Sequence, residues 1–117
     1  DIKYHFHILP AKAYVIGGAT GDWTDSNAAW EMTPSANAAT PWESPAFLAS
    51  GELRAYIKVG SIDWWRTEFT LFNGSLFWRT MDIPNNWAEN VGEAYSATCA
   101  PGQKLYVNFD TNKGEVK

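Results

Sequence analysis

The stretch ELRAYIKV at residues 52–59 alternates apolar and polar side chains without a break. A period of two sets Leu53, Ala55, Ile57 and Val59 on one face of an extended chain. Glu52, Arg54, Tyr56 and Lys58 fall on the other. The same period recurs at residues 2–8, 93–98 and 104–110, where Leu105, Val107 and Phe109 share the inward side. Further strands are expected at 11–16, 28–33, 68–72 and 76–79, with Asn73-Gly74 as the hairpin turn between the last two. Residues 34–45 read as a loop, and Asn112 to Gly114 as a last turn. No stretch carries a convincing 3.6-residue period. Roughly seven to nine short strands, with turn signals about every eight to twelve residues, predict an all-β sandwich.

Size and charge narrow the partners. The 117 residues amount to one domain with no linker or internal repeat, and they read as one module cut from a longer protein. Residues 1–10 are either its first strand or a linker from a preceding module. The formal charge of −4 offers no basic stripe for phosphate, so nucleic acid is excluded as a partner. No apolar run approaches the ~20 residues of a membrane helix. The single cysteine, Cys99, can form neither an internal disulfide nor a zinc site.

Catalysis finds no foothold. Glu31, Asp63 and Glu68 are the acids nearest the aromatic residues in sequence, but among 13 acids such proximity is ordinary. No serine stands in a nucleophile elbow, and Cys99 precedes a turn with no histidine nearby. His5 and His7 are two ligands without a third. The Asp22–Asp25 segment offers oxygens to calcium but lacks the dense carboxylates of a dedicated loop. The expectation is a non-enzyme without a cofactor, with a structural calcium as the one metal left open.

The aromatic residues carry the functional information. Seven Trp exceed what a core of this size needs. Trp23 sits in the polar turn TGDWTD, and Trp64-Trp65 in SIDWWR. In an extended segment two adjacent tryptophans point to opposite sides, so at least one of this pair is expected to meet solvent. An exposed indole stacks on the apolar face of a pyranose while a nearby Lys or Arg bonds its hydroxyls. The alternative is that Trp23 plugs the end of the sandwich. The residues alone leave both readings standing.

A resemblance favours the first. The run YVIGGATGDWTDSNAAWEMT at residues 14–33 is similar to the opening of SusE/SusF-type domains, glycan-binding outer-membrane lipoproteins of Bacteroidetes. Gly18 stands where that family usually has Asp. The family's later pattern resembles Gly51-Glu52-Leu53, then Ile57-Lys58-Val59, then Asp63-Trp64-Trp65, and its final strand pair resembles LYVNFDTNKGEV. More distantly, the glycogen-binding modules share a layout of two tryptophans and a lysine, which falls here on Trp23, Lys58 and either Trp64 or Trp65.

The resemblance implies an immunoglobulin-like β-sandwich of the carbohydrate-binding-module type. It implies noncatalytic binding of a polysaccharide or oligosaccharide, with α-glucan first. The residues expected to carry it are Trp23, Trp64 and Trp65 for stacking and Lys58 and Arg66 for hydroxyls, with Tyr56 and Asn73 in support. It also implies the extracellular face of the outer membrane, a lipid anchor outside this chain, and association with an outer-membrane transporter complex. The competing reading is a structural spacer domain with no ligand of its own.

Overall fold

The computed structural model describes residues 12–37, 39–79 and 98–117. The expected strand at 2–8, most of that at 93–98, His5, His7 and Trp87 lie outside them. Nine strands are described: β1 (Lys12–Ile16), β2 (Trp42–Glu43), β3 (Gly51–Glu52), β4 (Arg54–Lys58), β5 (Glu68–Phe72), β6 (Ser75–Trp78), β7 (Thr98–Cys99), β8 (Leu105–Asn108) and β9 (Lys113–Val116). Seven of them form one antiparallel sheet in the order β1-β4-β5-β6-β9-β8-β2, while β3 pairs with β7.

The sheet curls back on itself. Glu31 bridges Tyr14 of β1, and two residues later Thr33 bridges Glu43 of β2. Met32 N–H donates to the Ala13 carbonyl at 2.8 Å, and Thr33 N–H to that of Glu43 at 2.7 Å. One connecting segment therefore covers both end strands of the sheet, whose unpaired backbone would otherwise invite other chains. The two halves of the curl enclose one core. Ala13, Val15, Ala55, Phe69 and Leu71 meet Leu105 and Val107 across it, with Trp30, Met32 and Phe47 contributed by connections.

The expected alternation along β4 holds at Leu53 and Ala55, both buried. It fails at Val59, which is 45% exposed because the strand ends at Lys58 and the chain turns away. Residues 28–33 form a 3-10 turn at Ala28–Trp30 and isolated bridges rather than a strand. Residues 34–45, expected as a loop, include β2 at Trp42–Glu43. The last turn comes earlier than expected. Asn112 adopts φ 60°, and Lys113–Val116 returns as β9.

Between β3 and β4 the chain changes partners within a single residue, Leu53. That crossing depends on two glycines packed backbone to backbone. A Cβ on Gly18 would lie 3.0 Å from Glu52 N, and one on Gly51 would lie 3.1 Å from the Gly18 carbonyl carbon. Gly51 also holds φ 153°, where other residues are strained. Glycine at position 18 thus lets the turn abut β3. Gly18→Asp is expected to destabilise the fold by about 1–3 kcal/mol, read as a lower urea midpoint. An unchanged midpoint would show that this approach is not tight.

Candidate functional site

The outer face of β1, β4 and β5 is built from Tyr14, Ile16, Arg54, Tyr56, Lys58, Glu68 and Thr70, the set that alternates away from the core. Outward does not mean exposed here, because the loop of residues 21–27 folds down over part of that face. Tyr56 is 0% exposed. Its ring stacks on Tyr14 with centroids 5.4 Å apart. Its hydroxyl accepts the Ser26 N–H at 2.6 Å and donates to Asp25 Oδ1 at 3.2 Å. Burial pushes the Tyr56 phenol up to about 12, so it stays protonated. The expectation that Tyr56 supports a ligand directly is corrected: its surface is used to hold the loop.

Lys58 does the same from the next outward position. Its Nζ donates to Asp25 Oδ2 at 2.9 Å and lies 3.4 Å from the Ile62 carbonyl. Within the loop, Asp22 Oδ1 accepts the Thr24 N–H at 2.9 Å and the Thr24 hydroxyl at 2.7 Å, while Asn27 Nδ2 donates to Asp22 Oδ2. Asn27 Oδ1 then caps the 3-10 turn by accepting the Ala29 N–H at 3.0 Å. Both loop carboxylates thus have protein donors on both oxygens, which accounts for the loop's order without calcium. Among the described residues, no group of three His, Cys, Asp or Glu gathers to hold a metal.

This scaffolding lifts Trp23 to the surface, 50% exposed. The edge of its indole lies over Gly17, where an added Cβ would stand 3.6 Å from Trp23 Cη2. The Arg54 guanidinium lies 5.1 Å from the ring centroid. Arg54 is itself buried, pairing with Glu52 and, at 3.3 Å, with Glu68 Oε2. The other Glu68 oxygen accepts Arg79 Nη1 at 2.9 Å. Arg79 in turn lies 5.2 Å from the Trp65 ring, and Arg66 lies 4.7 Å from the same ring. A continuous set of contacts therefore joins Trp23 to Trp65 through Arg54, Glu68 and Arg79. Glu68 is 0% exposed. Burial raises its carboxyl above the ordinary carboxylate range, against the pull of both guanidiniums.

The sequence expectations divide on this geometry. Trp23 and Trp65 are linked through Arg54, Glu68 and Arg79, Arg66 lies against Trp65, and Lys58 holds the loop that carries Trp23 by way of Asp25. Trp64 and Trp65 do not alternate as an extended pair, because Trp64–Thr67 is a 3-10 turn. Successive residues there project about a third of a turn apart rather than to opposite sides. The Trp64 side chain lies outside what the structure describes. Asn73, with φ 51°, forms the β5–β6 hairpin turn at the end of β5 away from Glu68, outside this set of contacts. Arg54 and Arg79 were not among the expected residues. Arg54 was legible as an outward position of β4, but its place beneath an indole depends on the fold of a distant loop.

Two loop acids titrate in a direction that reports on this assembly. Burial alone would raise Asp25, but hydrogen bonds from Lys58 and Ser26 hold it below its ordinary 3.8. Hydrogen bonds from Thr24 do the same for Asp22. A carboxyl depressed in the fold stabilises it above the ordinary value, and that contribution is lost as pH falls through the folded value. Wild type is therefore expected to melt above Asp25→Asn at neutral pH, with the gap narrowing as the pH falls below the ordinary 3.8 of an aspartate. A gap that stays constant down to pH 2 in thermal melts would contradict the Asp25–Lys58 tether.

Comparison with known proteins places the chain. Residues 12–115 match a family described as SusF/SusE starch specific CBMs, carbohydrate-binding modules. Over 77 residues the chain is 34% identical to Outer membrane protein SusF of Bacteroides thetaiotaomicron, a stretch that is 63% of this chain and 14% of that protein. The crystal structure of SusF from the same organism superposes with a TM-score of 0.76 at 24% identity, covering 91% of this chain and 23% of that one. That likeness shows the fold, the all-β sandwich that the alternation implied. The chain thus spans a small fraction of the relatives it matches. It belongs to the SusF/SusE family of starch-specific carbohydrate-binding modules, and is a binding module rather than an enzyme.

Proposed function

We propose that this module holds a starch-type α-glucan on the outer face of β1, β4 and β5, stacking sugar rings on Trp23 and Trp65. The observation that carries this reading is the pairing of an exposed and a half-buried indole, each backed by an arginine that bonds the same buried carboxylate. A ring held from behind needs no reordering when a ligand arrives, which limits the entropy cost of binding. Arg66, whose side chain is 46% exposed, supplies hydroxyl contacts beside Trp65. Lys58 gives two of its three donors to Asp25 and Ile62, which leaves one to turn toward a sugar.

In this reading residues 1–117 are one module of a longer surface protein. A lipid anchor outside the chain tethers that protein at the extracellular face of the outer membrane, where it works beside a polysaccharide transporter. The outer-membrane name of its SusF relative supports the location. A single shallow site with a Kd of about 1 mM supplies only about −4 kcal/mol. Repeated modules on one tethered protein would raise the effective affinity.

Native electrophoresis through amylopectin gels tests the reading. Wild type is expected to be retarded, and Trp23→Ala to run freely with its fold intact, a loss of about 2 kcal/mol or more at a central aromatic contact. Equal retardation of both proteins would move the site elsewhere. A folded wild type that no glucan gel retards would favour the spacer.

A further inference from the structure

The end of the sandwich where β8 gives way to its turn carries an aromatic-floored cleft that the Trp23–Trp65 face does not include. It measures about 160 Å³ and is lined by Ser35, Asn37, Trp42, Asn108, Phe109 and Asp110, together with Thr40. Trp42 and Phe109 form its apolar wall, edge to face with centroids 5.4 Å apart, both packed on the core. A second, shallower depression of about 240 Å³ shares Asn108 and continues past Tyr106. Neither residue pair belongs to the platform described above.

The polar groups at the cleft divide into those already engaged and those left open. Asn37 Oδ1 accepts the Ala39 N–H at 2.8 Å, and Asn108 Oδ1 accepts the Asp110 N–H at 2.9 Å, so these two side chains fix the loops that form the walls. The Asp110 carboxylate and the Trp42 indole N–H have no hydrogen-bond partner among the described residues. Ser35 likewise brings a hydroxyl with no partner there. Among the described residues, no lysine or arginine lines the first cleft. A ligand that donates hydroxyls to the carboxylate and offers an acceptor to the indole N–H suits this lining. A sugar ring, whose hydroxyls both donate and accept, meets both conditions. At about 160 Å³ the cleft is well below the roughly 300–1,000 Å³ of a drug-sized pocket, which limits it to one ring.

We propose that this cleft is a second contact for neutral glucan, seating one hexose against Trp42 with its hydroxyls on Asp110, and that the next sugar runs into the adjoining depression across Asn108. The inference extends the platform reading but does not depend on it, since no residue is shared. Its consequence is bivalency within one module: a polymer held at both places dissociates only when both let go.

The test is a maltose titration of the whole chain followed by ¹H–¹⁵N correlation spectra, read at the Trp42 indole N–H. That resonance is expected to move with a single saturating curve, and to move equally in Trp23→Ala/Trp65→Ala. Asp110→Ala, at an exposed turn position, is expected to keep the fold and weaken the response about tenfold, the scale of one charge-assisted hydrogen bond. A Trp42 signal that stays fixed would overturn the second contact. So would one that moves only while Trp23 and Trp65 are both present, because the change would then be transmitted from the platform. Trp42→Phe, which keeps an aromatic wall but deletes the N–H, is expected to bind maltose more weakly in calorimetry while the rest of its spectrum stays that of the folded protein.

Discussion

Glu68 accepts both Arg54 and Arg79 from a position with no access to solvent, and the outer face of the sheet is arranged around that carboxylate. Burying three ionisable groups is costly unless each finds a partner, and removing one partner from such a set typically costs about 3–5 kcal/mol. Here the two guanidiniums serve a second purpose. One backs Trp23 and the other backs Trp65, so the charges that Glu68 pairs are also the surfaces on which two indoles rest. Deep burial and a surface platform are thus two aspects of one arrangement.

The loop over Tyr56 completes it. An outward-facing tyrosine would ordinarily be a surface residue, but here it stacks on Tyr14 and holds Ser26 and Asp25 with its hydroxyl. Lys58 adds an ion pair to the same aspartate. Ser26 is bent into φ 58°, a conformation that surrounding contacts must hold in place. Trp23 is exposed because the residues on either side of it are tied down. Elsewhere the only cysteine is inert, since burial pushes the Cys99 thiol up to about 11.

How much of this was readable in the chain depends on whether a residue's role is local. The phase of β4 and the Asn73-Gly74 hairpin follow from alternation and turn chemistry, which a few neighbouring residues determine. The outward phase of Tyr56 was equally legible, but its burial was not, because a loop thirty residues away covers it. The Trp64-Trp65 pair looked extended and is a 3-10 turn. The fold decides that choice, since nothing in the local sequence does. β9 was implied by the family resemblance but not by the residues themselves, because Lys113-Gly114 resembles a turn. Gly114 is instead a strand residue where a Cβ would meet Leu71 Cδ2 at 2.8 Å, so its glycine reflects crowding rather than bending. Arg54 and Arg79 fall in the same class as Tyr56: their types were visible, but their pairing with Glu68 is tertiary.

A binding module of this kind needs no moving parts, and rigidity before the ligand arrives is what the buried ion pairs supply. The direct measurement is the ¹⁵N order parameter of the Trp23 and Trp65 indole N–H groups in the free protein. Rings held from behind by Arg54 and Arg79 should give values near 0.85, like the rigid backbone, with little change when glucan is added. Values below about 0.6 in the free state, rising on binding, would mean that the ligand builds the platform and that the triad does not hold it.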